Sequence, residues 1–141
     1  LYGRYGDNFV HKVLRQAQSG QEIQIMGNQY GNPTSVDELL NIIGRLLQTE
    51  SFGIYHAVCS GRTSRRAFTK QIIRKAGAAV TIRKVNNDKP TVFDTSLSTE
   101  KLQQAARYQP LHWRKALANY LDEVKHENCI EITKRCSETW N

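Results

Sequence analysis

Two stretches of the sequence carry side chains whose types and spacing suit contact with an anion. Arg62, Arg66, Lys70 and Arg74 recur every four residues, which on a helix makes one basic stripe. Such a stripe is a solvated face, a phosphate-contacting surface that uses arginine's planar fork, or a nucleic-acid footprint. No helix-turn-helix, zinc-finger or RNA-binding aromatic motif accompanies it, so nucleic acid is the weakest of the three readings. The second stretch is Asn28-Gln29-Tyr30-Gly31-Asn32-Pro33-Thr34. It places amides, a glycine and a hydroxyl just ahead of a predicted helix start, where free backbone N–H groups favour phosphate. A plain turn is the alternative.

Other chemistry lacks its residues. A dinucleotide fold needs G-x-G-x-x-G between a strand and a helix; Gly3 and Gly6 have only part of that spacing and no such turn. There is no P-loop, no H-E-x-x-H, and no tyrosine followed by lysine four positions on. His11, His56, His112 and His126 lie far apart without an evident carboxylate partner, so structural roles are expected for them. Cys59, Cys129 and Cys136 are odd in number and form no C-x-x-C. The expectation is idle thiols of a cytoplasmic protein, with no disulfide framework and no metal site.

The elements that must carry these residues alternate between helix and strand. Asp7 can cap a helix with Phe9, Val10, Val13, Leu14 and Ala17 on one face, ended by Gly20. Residues 22–26 alternate as a half-buried strand, and 27–34 form a loop. Ser35 and Glu38 fit a capping box for a helix with Val36, Leu39, Leu40, Ile43, Leu46 and Leu47 inward. A strand is predicted over 53–59. Ser64 then caps a helix with Ala67, Phe68, Ile72, Ile73 and Ala76 inward, ended by Gly77. Residues 80–83 alternate as a strand, the loop with Asn86, Asn87, Asp88 and Pro90 follows, and a short helix covers 98–106. Trp113, Ala116, Leu117, Tyr120, Leu121 and Val124 mark the last helix; in the tail, Ile130 and Ile132 fit a short strand. The expected class is therefore α/β.

At 141 residues the chain is one domain long. It has 39% hydrophobic and 23% charged residues, which excludes fibrous and low-complexity classes. No apolar run reaches the ~18 residues of a membrane helix, and no signal-peptide pattern opens the chain. The net charge of +7 is concentrated: residues 62–89 hold nine basic residues and one acid, while the remainder is nearly neutral.

Several motifs together resemble one family. Tyr2-Gly3, Gly6-Asp7-Asn8-Phe9-Val10, Gln29-Tyr30-Gly31-Asn32-Pro33-Thr34, Gly53-Ile54-Tyr55-His56, Ser60-Gly61 with Thr63-Ser64, Asp94-Thr95-Ser96 and Trp113-Arg114 follow the order of the C-terminal half of dTDP-4-dehydrorhamnose reductase. The resemblance covers about residues 1–124 and leaves 125–141 as a tail of unknown structure. It implies the C-terminal part of an extended short-chain dehydrogenase/reductase fold, with the dinucleotide-binding half largely absent. The complete enzymes of the family reduce a dTDP-4-keto sugar with NADPH or NADH on the way to dTDP-L-rhamnose. Two departures stand out: Ser64-Arg65 where the family commonly has Ser-Trp, and Lys89-Pro90 where it has Arg-Pro, with Ser96-Leu97-Ser98 shifted.

By the same resemblance, Asn8, Phe9, Gln29, Gly31, Pro33 and Thr34 are the expected substrate-binding residues, and no catalytic residue is expected in this chain. The implied function is the nucleotide-sugar-binding part of the reductase, present without its catalytic half and inactive alone. No nicotinamide cofactor is expected to bind this chain by itself, and a dTDP-sugar should bind it weakly or undetectably. Two further readings stand beside it: a non-catalytic α/β binding or regulatory module, and a basic nucleic-acid-binding protein. The expected partners are a missing N-terminal half or a second copy. The apolar face Phe9, Val10, Val13 and Leu14 is expected to lie bare without that half.

Overall fold

A computed structural model of the chain describes residues 1–85 and 93–126. The first helix, α1, spans Phe9–Gln18. Its cap is Asn8, not Asp7: the Asn8 side-chain oxygen accepts from the N–H groups of Val10 and His11 at 3.0 and 3.1 Å. Asp7 instead takes Arg15 at 2.6 Å on the surface, and that hydrogen bond holds its carboxyl below the usual range. Contrary to expectation, the inner face of α1 is not bare. Val10 and Val13 are fully buried against the helix Arg65–Ala76 and the strand Ile23–Met26, with Phe9, Leu14 and Ala17 packed beside them.

The strand β1, Ile23–Met26, buries Ile23 and Ile25 and exposes the residues between them. The segment 27–34 holds a second strand, β2, Gln29–Gly31, where a loop was expected. The helix α2, Val36–Leu46, starts at Ser35, whose hydroxyl accepts from the Glu38 N–H at 3.2 Å. The other half of the capping box is missing. Glu38 points inward, 1% exposed, and its Oε1 accepts from the Tyr108 hydroxyl at 2.9 Å and the Leu111 N–H at 2.8 Å. The buried face of α2 is thus Glu38 and Ile42. Val36, Leu40, Ile43 and Leu47, expected inside, form an exposed apolar stripe, with Leu47 80% exposed.

Residues 53–59 form no strand, because among the described residues no strand pairs with them; Ile54 and Cys59 are met by side chains instead. Ser60, just after them, forms a parallel bridge to His112. Phe52 and Ile54 are left almost fully exposed, next in sequence to the α2 stripe. The short strand β3, Thr63–Ser64, leads into α3, Arg65–Ala76, with Ser64 as cap and Gly77 in the left-handed conformation at its end. Phe68, Ile72 and Ile73 are inward as expected, but Ala67 is exposed. The strand β4, Ile82–Val85, lies two residues later than expected. Then come β5, Phe93–Asp94, α4, Glu100–Ala106, and α5, Trp113–His126. Asn86, Asn87, Asp88, Lys89, Pro90, Cys129, Ile130, Ile132 and Cys136 lie outside the described residues.

Two small sheets tie the helices together. β1 pairs with β4 in parallel, Ile23 beside Ile82. In the other sheet β2 is central, antiparallel to β3 and parallel to β5. The core runs between α1, α3 and α5 and is centred on Tyr2, Phe68, Trp113, Leu117 and Tyr120. Tyr2 and Tyr120 meet edge to face with ring centroids 5.1 Å apart, and Phe68 meets Trp113 likewise at 5.8 Å. At Gly61, φ is +88° and a Cβ would stand 2.4 Å from His112 Nε2, so only glycine fits there.

Candidate functional site

The central sheet and the starts of α1 and α3 enclose a hollow of about 480 Å³. Its apolar floor is Tyr2, Phe9 and Phe68; Phe9 stacks on Phe68 with centroids 6.1 Å apart. Its walls are Gln29, Tyr30, Gly31, Asn32 and Pro33 on one side and Thr63, Ser64 and Arg65 on the other, with Phe93 and Thr95 at the edge. Register explains the convergence: β2 sets Tyr30 opposite Ser64 and Gly31 opposite Thr63, and brings Gln29 beside Phe93. A second, more polar hollow of about 420 Å³ adjoins it, lined by Lys12, Gln16, Glu22 and Gln24 among others. Phe9, Gln29 and Arg65 line both.

The rim is held by charged and amide groups. Arg62 lies over the Tyr30 ring, 3.8 Å from its centroid, and its Nε donates to Asp94 at 2.7 Å. Asp94 also accepts from the Ser96 hydroxyl and N–H. Chiefly these Ser96 bonds, and then Arg62, pull its pKa down to about 2, so the carboxylate stays charged. Arg65 lies over the Phe9 ring at 4.4 Å and donates to Gln29 Oε1 at 2.8 Å. Asn32 donates to the carbonyls of Cys59 and Gly61 and accepts from the Leu97 N–H at 2.8 Å, binding three segments to the wall.

Of the six expected site residues, Phe9, Gln29, Gly31 and Pro33 line the hollow. Asn8 and Thr34 do not. Asn8 spends its oxygen on the α1 cap and its nitrogen on the Gly3 carbonyl at 2.9 Å. Thr34 is 1% exposed; its hydroxyl donates to the Asn32 carbonyl and accepts from the Cys59 N–H. Both shape the hollow from behind. Sequence reasoning missed Thr63, Ser64, Arg65, Phe93 and Thr95. The cap signature at Ser64 marks a helix start, but nothing local says that this start faces β2. The basic stripe also divides: Arg62 is neutralised at the rim, Arg66 has a buried Nε with no hydrogen-bond partner, and Lys70 and Arg74 are exposed.

Among the described residues, no acid–base or nucleophilic pair lines the hollow. His11 is buried with Nε2 2.7 Å from the Tyr120 hydroxyl and Nδ1 3.2 Å from the Gly6 carbonyl; burial lowers its pKa. Burial raises the Cys59 thiol to about 11, so it stays protonated. Among the described residues, no three His, Cys, Asp or Glu side chains group as metal ligands. None of their helices is long and apolar enough to cross a membrane. A nicotinamide dinucleotide finds no cradle at Gly3 and Gly6. The Gly3 carbonyl already accepts from Asn8 and Tyr120, and a Cβ at Gly3 would stand 2.8 Å from Val36.

The family described as RmlD substrate binding domain matches residues 1–126. The spore coat polysaccharide biosynthesis protein SpsK of Bacillus subtilis (strain 168) is 33% identical over 128 residues, 87% of this chain and 44% of that protein. The dTDP-4-dehydrorhamnose reductase of Escherichia coli is 26% identical over 140 residues, 88% of this chain and 46% of the enzyme. The crystal structure of dTDP-4-dehydrorhamnose reductase from Bacillus anthracis str. Ames, in complex with NADP, superposes with a TM-score of 0.80 at 28% identity. That match covers 86% of this chain and 45% of the enzyme chain. The chain thus spans less than half the length of these relatives.

Proposed function

The chain belongs to the RmlD substrate-binding-domain family, and from that premise we propose that residues 1–124 are the nucleotide-sugar-binding part of a dTDP-4-dehydrorhamnose reductase, working in dTDP-L-rhamnose formation. The observation that carries this reading is the hollow lined by Phe9, Gln29, Gly31 and Pro33. Its aromatic floor suits a base or sugar face, and its amide rim suits ring hydroxyls. In this reading the chain binds and orients the dTDP-sugar and shields it from water. The tail 125–141 lies outside that role. The proton donor and the NADPH or NADH come from a dinucleotide-binding half. The α2 stripe with Phe52 and Ile54, and not the face of α1, is the surface available to that half or to a second copy.

Amide NMR titration of the chain with dTDP-L-rhamnose tests the reading. Shifts gathered at Phe9, Gln29 and Gly31, with a dissociation constant near 1 mM (about −4 kcal/mol), are expected. No shift at millimolar ligand refutes it. NADPH or NADH oxidation with a dTDP-4-keto sugar and the chain alone should match a protein-free control. A second reading, a self-sufficient binding module, draws on the closed core beneath the hollow; micromolar affinity would favour it.

A further inference from the structure

Arg65 occupies an unusual place in the charge layout of the cleft. It lines both hollows, and with Phe9 and Gln29 it forms the partition between them. Its guanidinium is anchored over the Phe9 ring at 4.4 Å and by one hydrogen bond to Gln29 Oε1. Gln29 is neutral, so that contact leaves the positive charge uncompensated. Among the described residues no carboxylate pairs with Arg65, whereas its neighbour Arg62 is neutralised by Asp94 at 2.7 Å. Arg65 is therefore the net cation of the first hollow, while Lys12 lines only the second.

Its position within α3 is also costly for the fold alone. Arg65 and Arg66 open a 12-residue helix that has no acid in its first turn. The positive end of a helix dipole favours anions there and disfavours cations by some tenths of a kcal/mol each. Residues that break a local stability rule inside a cleft are expected where a ligand supplies the compensation. The compensating charge must be negative. A guanidinium with one N–H committed to Gln29 still has donors for the paired oxygens of a phosphate.

We propose that Arg65 sets the charge specificity of the cleft by pairing with a phosphate of the bound nucleotide, at the boundary between the two hollows. This rests on the nucleotide-sugar reading above and deepens it. The apolar hollow then takes the uncharged part of the ligand, and the preference for a nucleoside diphosphate over the bare nucleoside is written in one side chain.

The test titrates the whole chain with thymidine, dTMP and dTDP at millimolar concentration, for the wild type, R65Q, R65K and, as a control for overall charge, R74Q. Arg65 and Arg74 are both exposed, and matching melting temperatures confirm that folds are kept. In the wild type, affinity should rise from thymidine to dTDP. R65Q should weaken dTDP about tenfold, the scale of a lost charge-assisted hydrogen bond, and leave thymidine unchanged. R65K, which keeps the charge without the fork, should lose less, and should still show the selective loss should R65Q fail to fold. R74Q should change neither ligand by more than about twofold, as a distant exposed charge is screened. Equal losses in R65Q and R74Q, or full dTDP affinity in both Arg65 variants, overturn the assignment while leaving the cleft reading intact. A wild type that binds none of the three overturns both.

Discussion

Replacing Glu38 dissects the joint between α2 and the segment before α5. Its Oε1 accepts from the Tyr108 hydroxyl at 2.9 Å and from the Leu111 N–H at 2.8 Å, while Oε2 is buried without a partner. Glu38→Ala removes both bonds, strands a backbone N–H and opens a void. Hydrogen bonds to a charged acceptor contribute about 1.5–3 kcal/mol each net. Relief of the desolvated Oε2 offsets part of that loss, so the expected cost is about 3 kcal/mol. Glu38→Gln retains Oε1 for both donors and should cost less than about 1 kcal/mol. At about 2–4 °C per kcal/mol for a chain of this size, the alanine variant should melt roughly 10 °C lower and the glutamine variant within about 4 °C. Urea unfolding gives the free energies directly. A second reading comes from Tyr108, whose phenol is raised to about 12 by burial first and then by Glu38. Glu38→Gln should lower that value in an ultraviolet titration. An alanine variant within about 1 kcal/mol of the wild type, or a glutamine variant equally damaged, would refute the reasoning.

The remaining expectations follow from the same contacts. Burial holds the folded pKa of His11 below the unfolded value of about 6.5. The unfolded chain therefore binds the proton more readily, and stability falls as pH drops below about 6.5 until the folded value is passed. Nearby Arg15 deepens the shift and Asp7 opposes it; His11→Gln should flatten that part of the urea-stability profile. Cys59 is fully buried with its thiol raised to about 11, so a thiol reagent at neutral pH should label it only on unfolding, as peptide mapping would show. The α2 stripe is expected to drive self-association. Light-scattering mass should rise with concentration in the wild type and stay at 16.1 kDa in the double variant Leu40→Glu, Leu47→Glu.

What the order of residues determined by itself is local. The helix starts at Ser35 and Ser64, the stop at Gly77 and the inward rows of α3 and α5 follow from capping chemistry and a 3.6-residue period, which act within a turn or two. The family resemblance likewise rested on local motifs, and four of six residues chosen from it line the hollow. Tertiary structure decided everything that needs a partner distant in sequence. Asp7 and Asn8 are equally good caps in isolation, and the choice fell to Asn8, whose amide also reaches the Gly3 carbonyl. Glu38 looked like half of a capping box until Tyr108 and Leu111, some 70 residues away, claimed its carboxylate. Glu38 and Ile42 then share the buried face of α2, and Val36, Leu40, Ile43 and Leu47 face out. Residues 53–59 have a strand's pattern, but a strand exists only where another backbone takes its hydrogen bonds, and the described chain offers none. In the sequence Arg65 stood out only as a departure from the family's Ser-Trp; only the pairing of β2 with β3 put it against Phe9 and Gln29 at the mouth of the cleft.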